Sequence, residues 1–494
     1  IRADRSSNAN CATAMRIRGP LNSAALAAAF ETLVRRHESL RTVFRVDDEG
    51  PIQLILETPE SFFSIIDLSH DVGQDLENKA RDLLRDEAEQ PSNLSDGPLF
   101  KATLVRLSDT DHVLLINVHH IVSDGWSTAT IFRDLEKLYD AYCANRPSPL
   151  PELTIQYADY AVWQRKYLNA QRLHDLLSFW NSYLAGVPLV LELPADKQRP
   201  AAQTYSGADL PVKFSSRLSG ALNKLSQEQG VTLFMTLMAA FQLFISRCTG
   251  RNDILIGTDL ANRNRVELEQ LVGFFVNLLP VRIDLAGDPT FVELLERAGR
   301  SILSVYAHQE LPFDKLVEEL KPERDLRRNP VVQILFVMQN AEQRTLRLAG
   351  SSVEPFKVTN ASSRFDLALF VSERENGLEG LWRYNSDLFA PETISKFAAS
   401  FETLLASIVA KPLERVSTLA MESSAENKPN ESAAAGSKTR QIRKTRRRSV
   451  DLGQLRTVKT GYLAPGKRLP LVVTPEVEEV DLVEWAGNNR EVIE

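Results

Sequence analysis

The run HVLLINVHH, residues 112–120, is apolar at nearly every position between its terminal histidines. A strand of that composition reads as one buried on both faces. LFKATLVRL (99–107) reads as its neighbour, joined through the turn SDTD. Upstream, NSAALAAAFETLVRRH (22–37) places Leu26, Phe30 and Leu33 on one helical face. ESLRTVFRV and PIQLIL read as paired strands. Beyond the run, Ile131, Phe132, Leu135, Leu138 and Tyr139 mark an amphipathic helix ending near Cys143. A proline-rich loop, NRPSPLPEL, leads into a further helix, YADYAVWQRKYL.

The second half repeats the mixture without repeating the sequence. LPADKQRPAAQTYSGADLP (193–211) reads as a hinge, followed by helices over 216–229 and 232–248. Strands are expected at DILIGT, within GFFVNLLPVRIDL, and at VVQILFV, FDLALFV and LEGLWRY, with a last helix over 391–410. After about residue 422 the composition turns small and polar, and KTRQIRKTRRR carries seven basic residues in eleven. That pattern is expected to be a solvated, largely disordered linker rather than a nucleic-acid site.

A net charge of −7 gives no general attraction to nucleic acid or anionic lipid. No apolar run approaches the roughly 18 residues of a membrane span, and no signal peptide opens the chain. Three scattered cysteines, Cys11, Cys143 and Cys248, fit reduced thiols in a cytoplasmic protein. The chain starts at Ile1 and is expected to be a piece of a longer polypeptide.

Histidine occurs seven times in 494 residues, so the adjacent pair His119–His120, four residues before Asp124-Gly125, asks for a cause. Three readings stand: polar groups satisfied at a strand end, metal ligands, or the working end of an active site. Neighbours on a strand point to opposite faces, which works against both imidazoles holding one metal. The same alternation favours a division of labour, one ring packed and the other open to a substrate. A neutral imidazole with an ordinary pKa of about 6.5 can take a proton near neutral pH. Asp124 can orient that imidazole, as in a triad, or hold the loop by pairing with an arginine. Gly125 is expected to permit a backbone conformation other residues resist. No Gly-x-Ser-x-Gly elbow supplies a serine nucleophile, so chemistry at this pair would be direct transfer between two bound substrates.

HHIVSDGWS resembles the His-His-x-x-x-Asp-Gly signature of nonribosomal peptide synthetase condensation domains, within the wider chloramphenicol acetyltransferase-like group. RHESLRTVF (36–44), IQYADYAVWQR (155–165), GRNDILIGTDLANR (250–263), VGFFVNLLPVR (272–282), HQELPFDKLVEEL (308–320) and RNPVVQILFVMQN (328–340) resemble other motifs of the family, in order. The family's first motif is missing, so the chain is expected to begin inside the domain.

The resemblance implies an α/β fold of two acetyltransferase-like lobes, a V-shaped pseudo-dimer with a tunnel between them. The N-terminal lobe is expected over 1–185 and the C-terminal lobe over 186–422, with a basic linker over 423–460. Residues 461–494 resemble the start of a taurine-dioxygenase-like domain. By the same resemblance, His120 is the reactive imidazole and His119 its structural neighbour. Asp124 is structural, paired with Arg41 of the second motif, and Gly125 completes the signature. Trp126, Ser127, Gly273 and Asn277 are candidates to line the tunnel. No metal and no directly bound cofactor are implied. Donor and acceptor thioesters arrive on the phosphopantetheine arms of upstream and downstream peptidyl carrier proteins, among adjacent domains of one synthetase. SDGWS resembles the subtype that joins an L-configured donor to an L-acceptor. An epimerisation-type domain, a stand-alone thioester-dependent acyltransferase and a non-catalytic docking platform for tailoring enzymes are the alternatives.

Overall fold

The computed structural model describes residues 10–421, apart from short stretches at 49, 58–60, 72–74, 340–344 and 359–361. The linker and dioxygenase-like readings, beyond 422, lie outside the described residues.

The first lobe is built on a five-stranded sheet. In chain order its strands are β1 (Asn10–Arg18), β4 (Phe63–Asp67), β5 (Phe100–Ser108), β6 (Asp111–His119) and, from much later in the chain, β11 (Ser352–Pro355); β2 (Thr42–Asp47) and β3 (Gly50–Ile55) form a separate small hairpin. β6 is the middle strand, with β1 on one side and β5 on the other. Leu114, Ile116 and Val118 face a core shared with α1 (Ser23–Arg36) and α3 (Gly125–Cys143), while Val113 and Leu115 face α2 (Leu76–Glu89). The double-sided burial expected of this strand is present. α1 begins where Asn22 Oδ1 accepts the Ala25 N–H at 3.0 Å and ends at His37. Its buried face is Leu26, Phe30 and Leu33 with Ala25, Ala29 and Val34.

After α4 (Tyr157–Tyr167) and α5 (Ala170–Tyr183), the second lobe forms on a six-stranded sheet of order β7-β13-β12-β10-β8-β9. These strands are β7 (Gly207–Lys213), β8 (Asp253–Leu260), β9 (Asn277–Asp284), β10 (Ile334–Gln339), β12 (Leu367–Arg374) and β13 (Gly377–Asn385). α6 (Ser216–Glu228), α7 (Leu233–Thr249), α8 (Phe291–Tyr306), α9 (Phe313–Leu320) and α10 (Pro391–Ala410) contribute to the same core. α10 has the length and apolar content of a membrane span, but it packs Ile394, Phe401, Leu404, Leu405 and Ile408 into that core.

Two features depart from the division at residue 185. Leu176 and Trp180 of α5 belong to the second lobe's core, so the chain has crossed before that point. It then crosses back: β11 (Ser352–Pro355) pairs antiparallel with β1, Ile17 opposite Val353. Leu346 and Leu348 enter the first lobe's α1/α3 core, and Phe356 and Val358 enter the one beneath α2. The hinge segment also contains β7, an edge strand held by β13. The lobes are thus joined by shared strands and shared core.

Candidate active site

His119 is the last residue of β6 and is 6% exposed. Its backbone N–H donates to Leu99 O at 2.8 Å, and its Nδ1 accepts the Ile121 N–H at 3.1 Å. A ring nitrogen that accepts from a backbone N–H carries no proton, so neutral His119 is protonated at Nε2. His120 opens a single 3-10 turn, His120–Val122, and is half-buried. Its Nδ1 lies 2.7 Å from Ser123 O. A carbonyl can only accept, so Nδ1 holds the proton and Nε2 keeps its lone pair. Burial pushes the imidazole below its ordinary pKa, and Arg364 pushes it further. The Ser123 carbonyl and Asp124 pull the other way. The balance favours the neutral ring, in which Nε2 is the basic nitrogen.

Asp124 does not pair with Arg41. Its carboxylate meets Arg263 Nη2 at 3.1 Å, and both side chains are 1% exposed. Asp124 Oδ1 caps α3 by accepting the Ser127 N–H at 2.8 Å, and Oδ2 accepts the Phe275 N–H at 3.1 Å. Arg263 donates from Nη1 to Leu271 O at 2.8 Å, and its guanidinium lies 4.1 Å from the Phe275 ring centroid. Arg41 ends a separate 3-10 turn, Glu38–Arg41, where it donates to Leu56 O and lies 3.5 Å from Glu38 Oε1. The expected pairing fails because that turn and the β2–β3 hairpin keep Arg41 to themselves. Arg263 closes the segment GRNDILIGTDLANR. The motif is visible in the sequence, but nothing in it singles out its final arginine.

Three of the four tunnel-lining candidates are interior to the protein. Ser127 is 0% exposed. Its hydroxyl proton is shared between Asp124 Oδ1 (2.7 Å) and Gly273 O (2.9 Å), and its oxygen accepts from Gly273 N–H and Arg263 Nη2, each at 3.0 Å. Gly273 is buried, and a Cβ built on it would sit 2.1 Å from Tyr157 Cδ2. Asn277 spends its amide on three backbone groups: Gln309 O at 2.8 Å, Leu311 O at 2.9 Å and Phe313 N–H at 3.0 Å. Trp126 is half-buried and donates from Nε1 to Glu269 O at 3.0 Å. Gly125 is the first residue of α3, and a positive φ is not among its properties. A Cβ there would meet nothing within 4 Å, so the expected backbone demand is overturned.

These contacts share a direction. The β8–β9 connection leaves the second lobe, is pinned to the first at Glu269, Val272, Gly273 and Phe275, and returns as β9. Ser39 Oγ supplies the Val272 bond at 2.7 Å. Along this connection Phe274, which no sequence motif singles out, sets its ring perpendicular to His120. Asp259 of β8 is only partly buried by surface, yet crowding by protein pushes its carboxyl up to about 6, against the pull of Arg364. Surface depressions of about 160 and 490 Å³ lie against α2, lined by residues such as Asn117 and Lys101 or Ser64 and Thr103, away from His120. Among the described residues, no group of three or more His, Cys, Asp or Glu side chains is placed to hold a metal ion.

The Condensation domain family model matches residues 2–429. This chain belongs to the condensation domain family. It is 43% identical over 412 residues to a linear gramicidin synthase of Brevibacillus parabrevis, covering 83% of this chain and 8% of that protein. It is 40% identical over 393 residues to malpinin synthetase of Mortierella alpina, covering 79% of this chain and 5% of that protein. The chain therefore spans less than a tenth of the length of these curated relatives. Among solved structures it resembles the X-domain from teicoplanin biosynthesis, with 29% identity and a TM-score of 0.77 over 84% of this chain and 94% of that one. The first condensation domain of the calcium-dependent antibiotic synthetase matches at 20% identity and a TM-score of 0.67, covering 85% and 95%, and carries the fold alone. The two lobes of this condensation domain are the chloramphenicol acetyltransferase-like pair expected from the signature.

Proposed function

We propose that this condensation domain forms a peptide bond between two thioester-bound aminoacyl groups during nonribosomal peptide synthesis. The donor thioester and the acceptor amine arrive at His120 on the phosphopantetheine arms of upstream and downstream carrier proteins. The observation that carries the reading is the tether of His120: Nδ1 lies 2.7 Å from Ser123 O, which leaves Nε2 as the nitrogen able to accept a proton. Nitrogen attacks the thioester carbonyl and the carbon–sulfur bond breaks, releasing the donor's pantetheine thiol. The amine proton lost on the way is taken or oriented by Nε2 and ends on the leaving sulfur, which departs as the thiol. Because the thioester is already activated, holding the two arms together contributes much of the rate.

The test loads donor and acceptor on their carrier proteins and follows the dipeptidyl thioester. General-base catalysis of this kind is typically worth about 10²–10⁴-fold, and His120→Ala is expected to lose activity on that scale while folding normally. A rate within a few-fold of wild type removes the role. A second reading, a docking platform, is favoured by the 28% identity to the X-domain that forms a complex with OxyB in teicoplanin biosynthesis. It predicts no transfer by the wild-type chain and tight binding of a separate tailoring enzyme.

A further inference from the structure

Phe274 is the aromatic residue that meets His120. Their ring centroids lie 5.1 Å apart with planes at 88°, an edge-to-face contact. Phe274 keeps 37% of its surface exposed, while Val272, Gly273 and Phe275 around it are buried. A large aromatic ring usually goes to the core, and this one is held out of it beside an imidazole. The backbone does the holding. Tyr157 Oη donates to Phe274 O at 2.8 Å, Phe275 N–H donates to Asp124, and both peptide groups of Gly273 bond Ser127 Oγ. Tyr157 itself is half-buried against Gly273 and sets its ring at 84° to Phe275, 5.0 Å away. The position of the Phe274 ring thus follows from anchored peptide units on either side of it.

We infer that Phe274 is a positioning residue for the proposed reaction, fixing the plane of the His120 imidazole and walling it from solvent on the side of the second lobe. The inference rests on the role proposed for His120. One hydrogen bond, from Nδ1 to Ser123 O, leaves an imidazole free to tilt about that bond. A perpendicular ring in contact removes the tilt, so Nε2 presents its lone pair in one direction, as a near-attack geometry requires. The same ring withholds water from the imidazole, and loss of water is the first cause of its depressed basicity. The charged groups that act on His120 are Arg364, from the segment before β12, and Asp124, at the start of α3.

The test is a pair of readouts on the full chain with Phe274→Ala, Phe274→Leu and Phe274→Tyr. Imidazole NMR follows the titration of His120, assigned by its loss in His120→Ala, and single-turnover transfer is measured between loaded carrier proteins. Opening the site to water is expected to move the His120 midpoint up toward its ordinary value of 6.5 in Phe274→Ala. Transfer is expected to fall about tenfold or more, the scale on which misplacement of a reacting group acts. Phe274→Tyr is expected to restore both. If Phe274→Ala melts early, Phe274→Leu gives the same comparison with an apolar side chain that has no ring face. An unchanged His120 titration and rate in a folded variant overturns the inference. Full activity in His120→Ala overturns the proposed reaction instead, and the NMR titration still reports separately on whether Phe274 shields the ring.

Discussion

Asp124 and Arg263 stand 139 residues apart in sequence and 3.1 Å apart in space, each almost completely buried. One belongs to the first lobe's active-site turn, the other to the end of the second lobe's β8 segment. Their pairing therefore does two things at once: it caps the helix that follows His120, and it ties the lobes together behind the imidazole. Burial pushes the Arg263 guanidinium down from its ordinary pKa while Asp124 holds it up. The carboxylate of Asp124 is taken up by this clamp, by the Ser127 N–H and by the Phe275 N–H.

Asp124→Ala is therefore expected to act first on stability. Removing one partner of a buried pair strands the other charge and typically costs about 3–5 kcal/mol. Arg263→Ala is expected to cost a similar amount, and the double variant less than the sum of the two. Arg41→Ala is expected to cost distinctly less, since its contacts are a carbonyl and a half-buried glutamate 3.5 Å away. Denaturant melts of the four variants check this ordering. Equal losses for Arg41 and Arg263 would return Arg41 to the site.

Gly273→Ala is expected to be poorly tolerated for a reason that involves no ligand. The added methyl would lie 2.1 Å from Tyr157 Cδ2 and 2.9 Å from Phe275 Cε2, so the anchored segment must shift. Overpacking of this kind costs about 1–3 kcal/mol. In a Tyr157→Ala background the same change is expected to cost much less, and that double-mutant cycle, read by melting, isolates the contact from any effect on substrate.

The parts of the fold that are legible from sequence are those with strong periodicity. α1, β6, α3 and α10 carry their apolar spacing openly, and the caps of α1 and α3, Asn22 and Asp124, stand where a helix start needs them. α2 keeps the helical period, with Ala80, Leu84 and Ala88 four residues apart, but the many charges of LENKARDLLRDEAE mask that stripe. β11 escapes a sequence reading because four residues, SVEP, have no period to read; β1 makes them a strand. The site divides the same way. The histidine pair is legible as a local motif, but the choice of Arg263 over Arg41, and the contact of Phe274 with His120, are set by how two distant segments fold onto each other.

Asn277 provides a further case in which packing replaces an expected substrate contact. Its amide satisfies two carbonyls and one N–H at the entry to α9. Asn277→Ala leaves those backbone groups without partners at a buried position, a loss of about 1–3 kcal/mol per group left unsatisfied. The expected outcome is a lowered melting temperature with an unchanged order of preference among acceptor amino acids. Competition between two loaded acceptors measures that preference, and a switched preference in a stable variant would place Asn277 against substrate.

The last prediction concerns pH. Nε2 of His120 serves only when the ring is neutral, so transfer should follow the deprotonated fraction and rise with pH. Burial and Arg364 both lower the pKa from its ordinary 6.5, so the acid limb of the single-turnover rate is expected to have its midpoint below 6.5. Asp124 opposes that shift. Removing it while the protein stays folded, as Asp124→Asn is designed to do, should move the limb lower still. Arg364→Gln removes the opposing charge and should move it higher. The measurement is a pH–rate profile at saturating loaded carriers, with chemical quench fast enough to exclude carrier exchange. A flat profile from pH 5 to 8 would remove proton acceptance from His120's work and leave orientation of the amine. A midpoint above 6.5 would mean that the ring is far better hydrated than its burial and its contact with Phe274 allow.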